Sequence, residues 1–203
     1  MKILLTAFEP FGGEAINPAQ EAVNAIPERV AGARIVKLAV PTVFGRSIET
    51  VYEAMKRESP DAVLCVGQAG GRAELTVERV AINLIDAEIP DNEGLQPRDT
   101  PVFPDGPAAY FAYLPVRAMV ERIKAAGVPA RISYTAGTFV CNQLMYGVLY
   151  YIEREFPGMR GGFLHVPYQR EQVADRPDAP SLSGEDIAKG LEAATAAIVE
   201  SGG

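Results

Sequence analysis

Ala62-Val63-Leu64-Cys65-Val66 is a run of five apolar residues without polar alternation, closed by Gly67. A strand with one wet face alternates apolar and polar residues, whereas a strand covered on both faces has no need to. Runs of this kind recur at Lys2 to Phe8, Arg34 to Val40, Ala130 to Tyr134 and Gly162 to Val166, most of them followed by Gly or Pro. Helical stretches lie between them. The first opens at Asn17-Pro18, a good N-cap followed by the residue best tolerated at the first helical position, and turns Ala19, Val23 and Ile26 inward. Others are expected over Arg46 to Arg57, over Val116 to Ala126 with a stop at Gly127, and over Asn142 to Glu155 with Leu144, Val148, Tyr151 and Ile152 on one stripe. The last starts near Ser183, with Ile187, Leu191, Ala194 and Ile198 facing inward. Strands alternating with helices imply a mostly parallel sheet with helices on both faces. Leu75 to Asp86 alternates only loosely and reads as an extended, antiparallel addition. The expected architecture is therefore α/β, a single-domain three-layer α/β/α sandwich around a mostly parallel twisted sheet.

Composition narrows the function. The 203 residues include 19 Lys+Arg and 26 Asp+Glu, a formal net charge of −7. Phosphate backbones and anionic membranes call for clustered base, and here Lys56-Arg57 runs straight into Glu58. Neither nucleic acid nor a membrane surface is an expected partner. With 48% hydrophobic and 22% charged residues the chain has the composition of an ordinary globular domain. The apolar run at Lys2 to Phe8 is too short for a signal peptide, no run approaches a membrane span, and Cys65 and Cys141 sit in contexts of burial and reactivity more than of pairing. The expected compartment is cytoplasmic.

From Ile89 to Pro107 five prolines and the turn Asp91-Asn92-Glu93-Gly94 exclude a helix. Such a long ordered arm is a lid, a subunit contact or a plain surface excursion.

Chemistry is confined by scarcity, because the chain has one histidine. His165 closes the apolar run Gly162-Phe163-Leu164-His165-Val166, at the carboxyl end of a strand, where α/β proteins place their sites. Alone, it is more often a satisfied core side chain. Cys141 shifts that balance. Ser133-Tyr134-Thr135-Ala136-Gly137-Thr138-Phe139-Val140-Cys141-Asn142 reads as strand, turn and helix start. A helix N-terminus favours a thiolate and offers N–H groups to an oxyanion, although most free cysteines are small buried apolar residues, the reading that suits Cys65. Glu78, set among Val and Ile, would orient an imidazole, or else pairs with Arg79 or another base, or is simply exposed. Gly67-Gln68-Ala69-Gly70-Gly71-Arg72 fits neither the dinucleotide nor the P-loop spacing and reads as a ligand-facing loop. No metal-ligand spacing is present.

Five ordered blocks now resemble one family, the pyrrolidone carboxyl peptidases, or type I pyroglutamyl peptidases. They are Phe8-Glu9-Pro10-Phe11-Gly12-Gly13 with Asn17-Pro18, Gly67 to Arg72 leading to Glu78-Arg79-Val80-Ala81-Ile82-Asn83, Ile89-Pro90-Asp91-Asn92-Glu93-Gly94, Ser133 to Asn142, and His165-Val166-Pro167-Tyr168. The resemblance implies a cofactor-free cysteine peptidase that removes N-terminal pyroglutamate from peptides and assembles as a homotetramer. By motif it implies Cys141 as nucleophile, His165 as base and acid, and Glu78 as orienting carboxylate. It implies a ring pocket of Phe8, Phe11, Thr42, Gln68, Ile89, Phe139 and Val140.

One position departs from the pattern. Glu88 precedes Ile89-Pro90-Asp91-Asn92-Glu93 where family members often carry Arg, a residue associated with the oxyanion. Either backbone donors suffice, or Arg79 or Arg72 takes part. Two other readings are a nucleoside-phosphorylase-like enzyme using Gly turns and arginines, and a silent binding protein on the same fold.

Overall fold

The structure is a computed structural model that describes residues 1–202. In chain order it contains β1 (Lys2–Phe8), α1 (Pro18–Ala25), β2 (Arg29–Val30), β3 (Ala33–Val40), α2 (Arg46–Glu58), β4 (Ala62–Gln68), β5 (Leu75–Glu78) and β6 (Val80–Ile82). There follow β7 (Ala109–Phe111), α3 (Val116–Ala125), β8 (Ala130–Ser133), α4 (Val140–Glu155), β9 (Arg160–Val166), β10 (Tyr168–Gln169), β11 (Ser181–Leu182) and α5 (Gly184–Glu200). Seven strands form the central sheet in the order β2-β3-β1-β4-β9-β5-β8. Neighbours from β3 to β9 run parallel, as do β5 and β8, whereas β2–β3 and β9–β5 are antiparallel. Helices α1 and α3 pack on α5, and α2 packs on α4, which gives a helical layer on each face.

The central strands carry the core. Ile3, Leu4 and Leu5 of β1, Val63 and Leu64 of β4, and Phe163 and Leu164 of β9 are fully buried, as expected of unbroken apolar runs between two helical layers. The run at β3 behaves differently: Arg34, Lys37 and Ala39 are exposed. Arg34 points to one face and Lys37 and Ala39 to the other. Only the two-residue edge strand β2 lies beyond β3 in the sheet, so neither face is fully covered, and the expectation of two buried faces is corrected there.

Leu75 to Asp86 divides in two. β5 joins the sheet antiparallel to β9 but parallel to β8, and after Arg79 the chain leaves the sheet to pair as β6 with β7. Helix boundaries follow capping chemistry. Asn17 Oδ1 accepts from Ala19 N at 3.0 Å, and Ser183 Oγ accepts from Asp186 N at 3.1 Å. Gly127, at φ +83°, takes the left-handed turn beyond α3 that a side chain resists.

The arm from residue 89 to 107 is fastened to the body. Asp91 accepts from the N–H groups of Phe44, Glu93 and Leu95, each at 2.9 Å, and Asn92 donates to Pro10 O at 3.0 Å and, through its backbone, to Thr42 O at 3.1 Å. Asn83 holds the far end through Phe103 and Gly106.

Candidate active site

Cys141 stands on the first turn of α4. That helix begins two residues earlier than its sequence suggested, with Phe139 as an N-cap that offers no side-chain bond. Its first backbone bond runs from Gln143 N to Phe139 O at 3.1 Å, so the N–H groups of Val140, Cys141 and Asn142 precede the helical ladder and are available to an anion. Two clamps set this end. Thr138 exchanges bonds with Asp86 through backbone and hydroxyl, and the buried Asn142 side chain brackets β6, accepting from Ile82 N and donating to Ile82 O and Leu84 O.

The thiol is partly exposed, yet packed closely enough that burial, reinforced by the charge of Glu78, pushes it up to about 12, with Arg72 opposing. The expected thiolate preference of a helix start is therefore countered, and a proton stays on sulfur until a base removes it. Cys65 is wholly buried and is likewise pushed up to about 12 by burial.

His165 and Glu78 meet across the antiparallel seam. His165 is in register with Thr76 and Glu78 with Phe163, which makes the pair diagonal neighbours on one face. His165 Nδ1 lies 2.8 Å from Glu78 Oε1. Both are almost fully buried. Burial alone would raise Glu78, but the hydrogen bond and charge of His165, the Ser133 hydroxyl and Arg72 hold the carboxyl below its ordinary value. Burial lowers His165, outweighing Glu78. The resting state is then a carboxylate beside a neutral imidazole whose Nδ1–H donates to Glu78, leaving Nε2 as a base.

The ion pair left open by the sequence goes to Arg72. Its Nη1 donates to Glu78 Oε1 at 2.6 Å, while Arg79 is turned outward over the Phe111 ring.

Cys141 and His165 share a cavity of about 230 Å³. Phe8, Phe11, Thr42, Gln68 and Phe139 line it, together with Ala69, Arg72, Ala136 and Gly137. Phe139 stands edge-on to Phe44 with centroids 5.3 Å apart, and lies 6.4 Å from Phe11. Gln172 Nε2 donates to Gln68 Oε1 at 3.3 Å, which leaves the Gln68 amide N–H groups as donors for a bound carbonyl. Two residues expected in the pocket fall outside its lining: Val140 is wholly buried, and Ile89 is 46% exposed on the arm. Val140 faces the core because successive residues of a helix are turned by about 100°, which carries it off the face that presents Cys141, and Ile89 sits where the arm reaches solvent. Glu88 is exposed and also lies outside. Larger clefts of about 530 and 520 Å³ elsewhere are lined by neither thiol nor imidazole.

The family profile described as Pyroglutamyl peptidase matches residues 1–201. The chain belongs to the pyroglutamyl peptidase family. It is 55% identical to the pyrrolidone-carboxylate peptidase of Lactobacillus johnsonii over 203 residues, covering 100% of this chain and 94% of the relative. It is 54% identical to the Alkaliphilus oremlandii protein of the same name over 200 residues, 98% and 94% of the two chains. The solved pyroglutamyl peptidase I of Bacillus amyloliquefaciens superposes with a TM-score of 0.95 at 52% identity, covering 97% of this chain and 94% of that one. A mutant pyrrolidone carboxyl peptidase of Pyrococcus furiosus gives 0.95 at 36% identity, with 99% of each chain covered. The α/β fold and hydrolase class of this pyroglutamyl peptidase family member are thereby established.

Two contributions to the site are not carried by local sequence. Arg72 belongs to a loop that the sequence marks as ligand-facing, but its grip on Glu78 depends on strand placement. Gly67 closes an apolar run in the sequence, yet it lies inside β4, where a glycine signals close approach of other atoms.

Proposed function

We propose that this chain removes an N-terminal pyroglutamyl residue from peptides through a thioester, with Cys141 as nucleophile, His165 as base and acid, and Glu78 as the group that orients it. The observation that carries the reading is the Glu78–His165 bond of 2.8 Å beside a cavity shared with the helix-start thiol. Since sulfur holds its proton, attack and proton transfer are coupled: as the S–C bond forms, the proton moves to His165 Nε2. The developing oxyanion is received by N–H groups at the start of α4. The imidazolium, supported by Glu78, protonates the departing amine as the C–N bond breaks. Water then gives a proton to His165 and attacks the thioester, releasing pyroglutamate and returning the proton to sulfur.

Selectivity follows from the lining. The lactam has two apolar faces and an amide edge, which suit Phe8, Phe11 and Phe139 on one hand and Gln68 on the other. Among the described residues no carboxylate lines the cavity, so the ammonium of an ordinary N-terminus finds no counter-charge there. Sites built on such hydrogen bonds reject analogues strongly. The family resemblance extends the reading to a homotetramer in the cytoplasm, and sedimentation of the purified chain checks the assembly.

Release of a fluorophore from a pyroglutamyl amide, with a free-amine prolyl amide as control, tests the chemistry. Wild type and Cys65→Ser should cleave only the first, and Cys141→Ser and His165→Ala neither. Activity in a folded Cys141→Ser would overturn the mechanism.

A further inference from the structure

We propose that Arg72 is a positioning residue and the counter-charge of the site: by gripping the Glu78 oxygen shared with His165, it keeps the cavity electrically balanced while positive charge develops on the imidazole and negative charge on the bound carbonyl. The inference rests on Cys141 and His165 acting as nucleophile and base.

One carboxylate oxygen, Glu78 Oε1, takes both His165 Nδ1 at 2.8 Å and Arg72 Nη1 at 2.6 Å. Glu78 is fully buried and the Arg72 side chain is 20% exposed, so this ion pair is screened far less than a surface pair. The guanidinium is fixed at both prongs. Nη1 also donates to the Thr76 hydroxyl, and Nη2 donates to Thr135 O at 3.1 Å, on the loop that leads to Cys141. The turn carrying it is built for the purpose: Gly71 has φ +84°, and a β-carbon on Gly70 would fall 2.3 Å from the Tyr168 ring.

The charge count explains the arrangement. At rest, Glu78 and Arg72 cancel beside a neutral thiol and imidazole. At the tetrahedral stage, imidazolium and oxyanion are added and the sum is still zero. Without Arg72 the cavity carries one negative charge throughout, and the oxyanion forms against it. Of the other titratable groups, Cys141 on α4 faces the pair, Cys65 on β4 faces Cys141, and the Tyr168 hydroxyl lies against Gly70 of the turn. Arg72 favours the deprotonated form of both Cys141 and His165, so its removal moves both in the same direction.

The test compares wild type, Arg72→Gln and Arg72→Lys by the pH dependence of kcat/KM on the pyroglutamyl fluorophore and of iodoacetamide alkylation, with folding checked by circular dichroism. Arg72→Gln should lose about 10- to 100-fold in kcat/KM near neutrality, mostly in kcat, with the acid limb and the alkylation midpoint displaced upward by about one pH unit. Arg72→Lys, which keeps the charge, should restore both toward wild type. An undisplaced limb in folded Arg72→Gln overturns the inference, as does Arg72→Lys displaced as far as Arg72→Gln. Should Arg72→Gln not fold, the Arg72→Lys limb decides: wild-type position supports the counter-charge, and displacement overturns it. Activity in Cys141→Ser would fail the nucleophile assignment instead, a result separable from either arm.

Discussion

The Cys141 sulfur rests against the backbone of Gly67, the register partner of His165, so closely that a β-carbon at Gly67 would lie 3.0 Å from it and 2.8 Å from the Phe163 ring. Gly67→Ala should therefore fold with a loss of about 1–3 kcal/mol while displacing the thiol. A shift of about 1 Å at reacting atoms costs about 100-fold. Parallel thermal melts and kcat measurements check this, and near wild-type kcat in Gly67→Ala would contradict the tight seat described for sulfur.

Acid should weaken the fold in two stages. His165 lies below its ordinary 6.5 in the folded chain, so the unfolded chain takes up its proton first and stability falls as pH drops below about 6.5. Glu78 lies below its ordinary 4.5, so its contribution is complete above that value and is lost as pH falls through the depressed one. Urea unfolding between pH 8 and 4 should show a plateau above about pH 7 and a decline below it. His165→Asn should flatten the decline between pH 6.5 and 5.

Phe11 is only partly buried and belongs to the cavity more than to the core. Phe11→Ala should raise KM by about 10- to 100-fold through loss of apolar contact with the ring, with kcat and melting temperature much less affected. Steady-state kinetics on the pyroglutamyl amide would show the split, and an unchanged KM would remove Phe11 from the pocket wall.

Asp91 answers three backbone N–H groups, one of them in Phe44, behind Phe139. Asp91→Ala leaves those donors without a partner and should cost about 3 kcal/mol. Because the same arm ties down the loops bearing Phe11 and Thr42, KM should rise as well. Denaturant titration and kinetics on the same preparation test both effects.

Long elements were legible because their signals are cooperative along the chain. The aliphatic runs of β1, β4 and β9 and the caps Asn17 and Ser183 mark their own ends within one or two residues. The two-residue strands β2, β10 and β11 carry too few side chains for any periodicity, and β7 lies directly after a proline-rich arm. The start of α4 lies two residues before Asn142 and carries no polar signal, because Phe139 caps it without a side-chain bond. At the site, a lone histidine, a cysteine at a helix start and a carboxylate among aliphatics made His165, Cys141 and Glu78 conspicuous candidates, while their roles came from the family resemblance. The partner of Glu78 was not legible. Arg79 is adjacent in sequence, but strand alternation and the bend after β5 turn it outward, while Arg72 returns from a turn six residues earlier.

The position of β9 has a consequence for how the protein comes into being. This strand lies between β4 and β5, yet it is made after both, nearly a hundred residues downstream of β4. Pairings of such sequence separation form late and slowly. During synthesis the sheet must keep a gap, and the seam that unites His165 with Glu78 closes only when β9 enters it. A ribosome-bound chain shorter than about 166 residues thus carries the thiol but no complete strand to bring the imidazole beside it, so the first appearance of hydrolysis would time the closing of the central sheet.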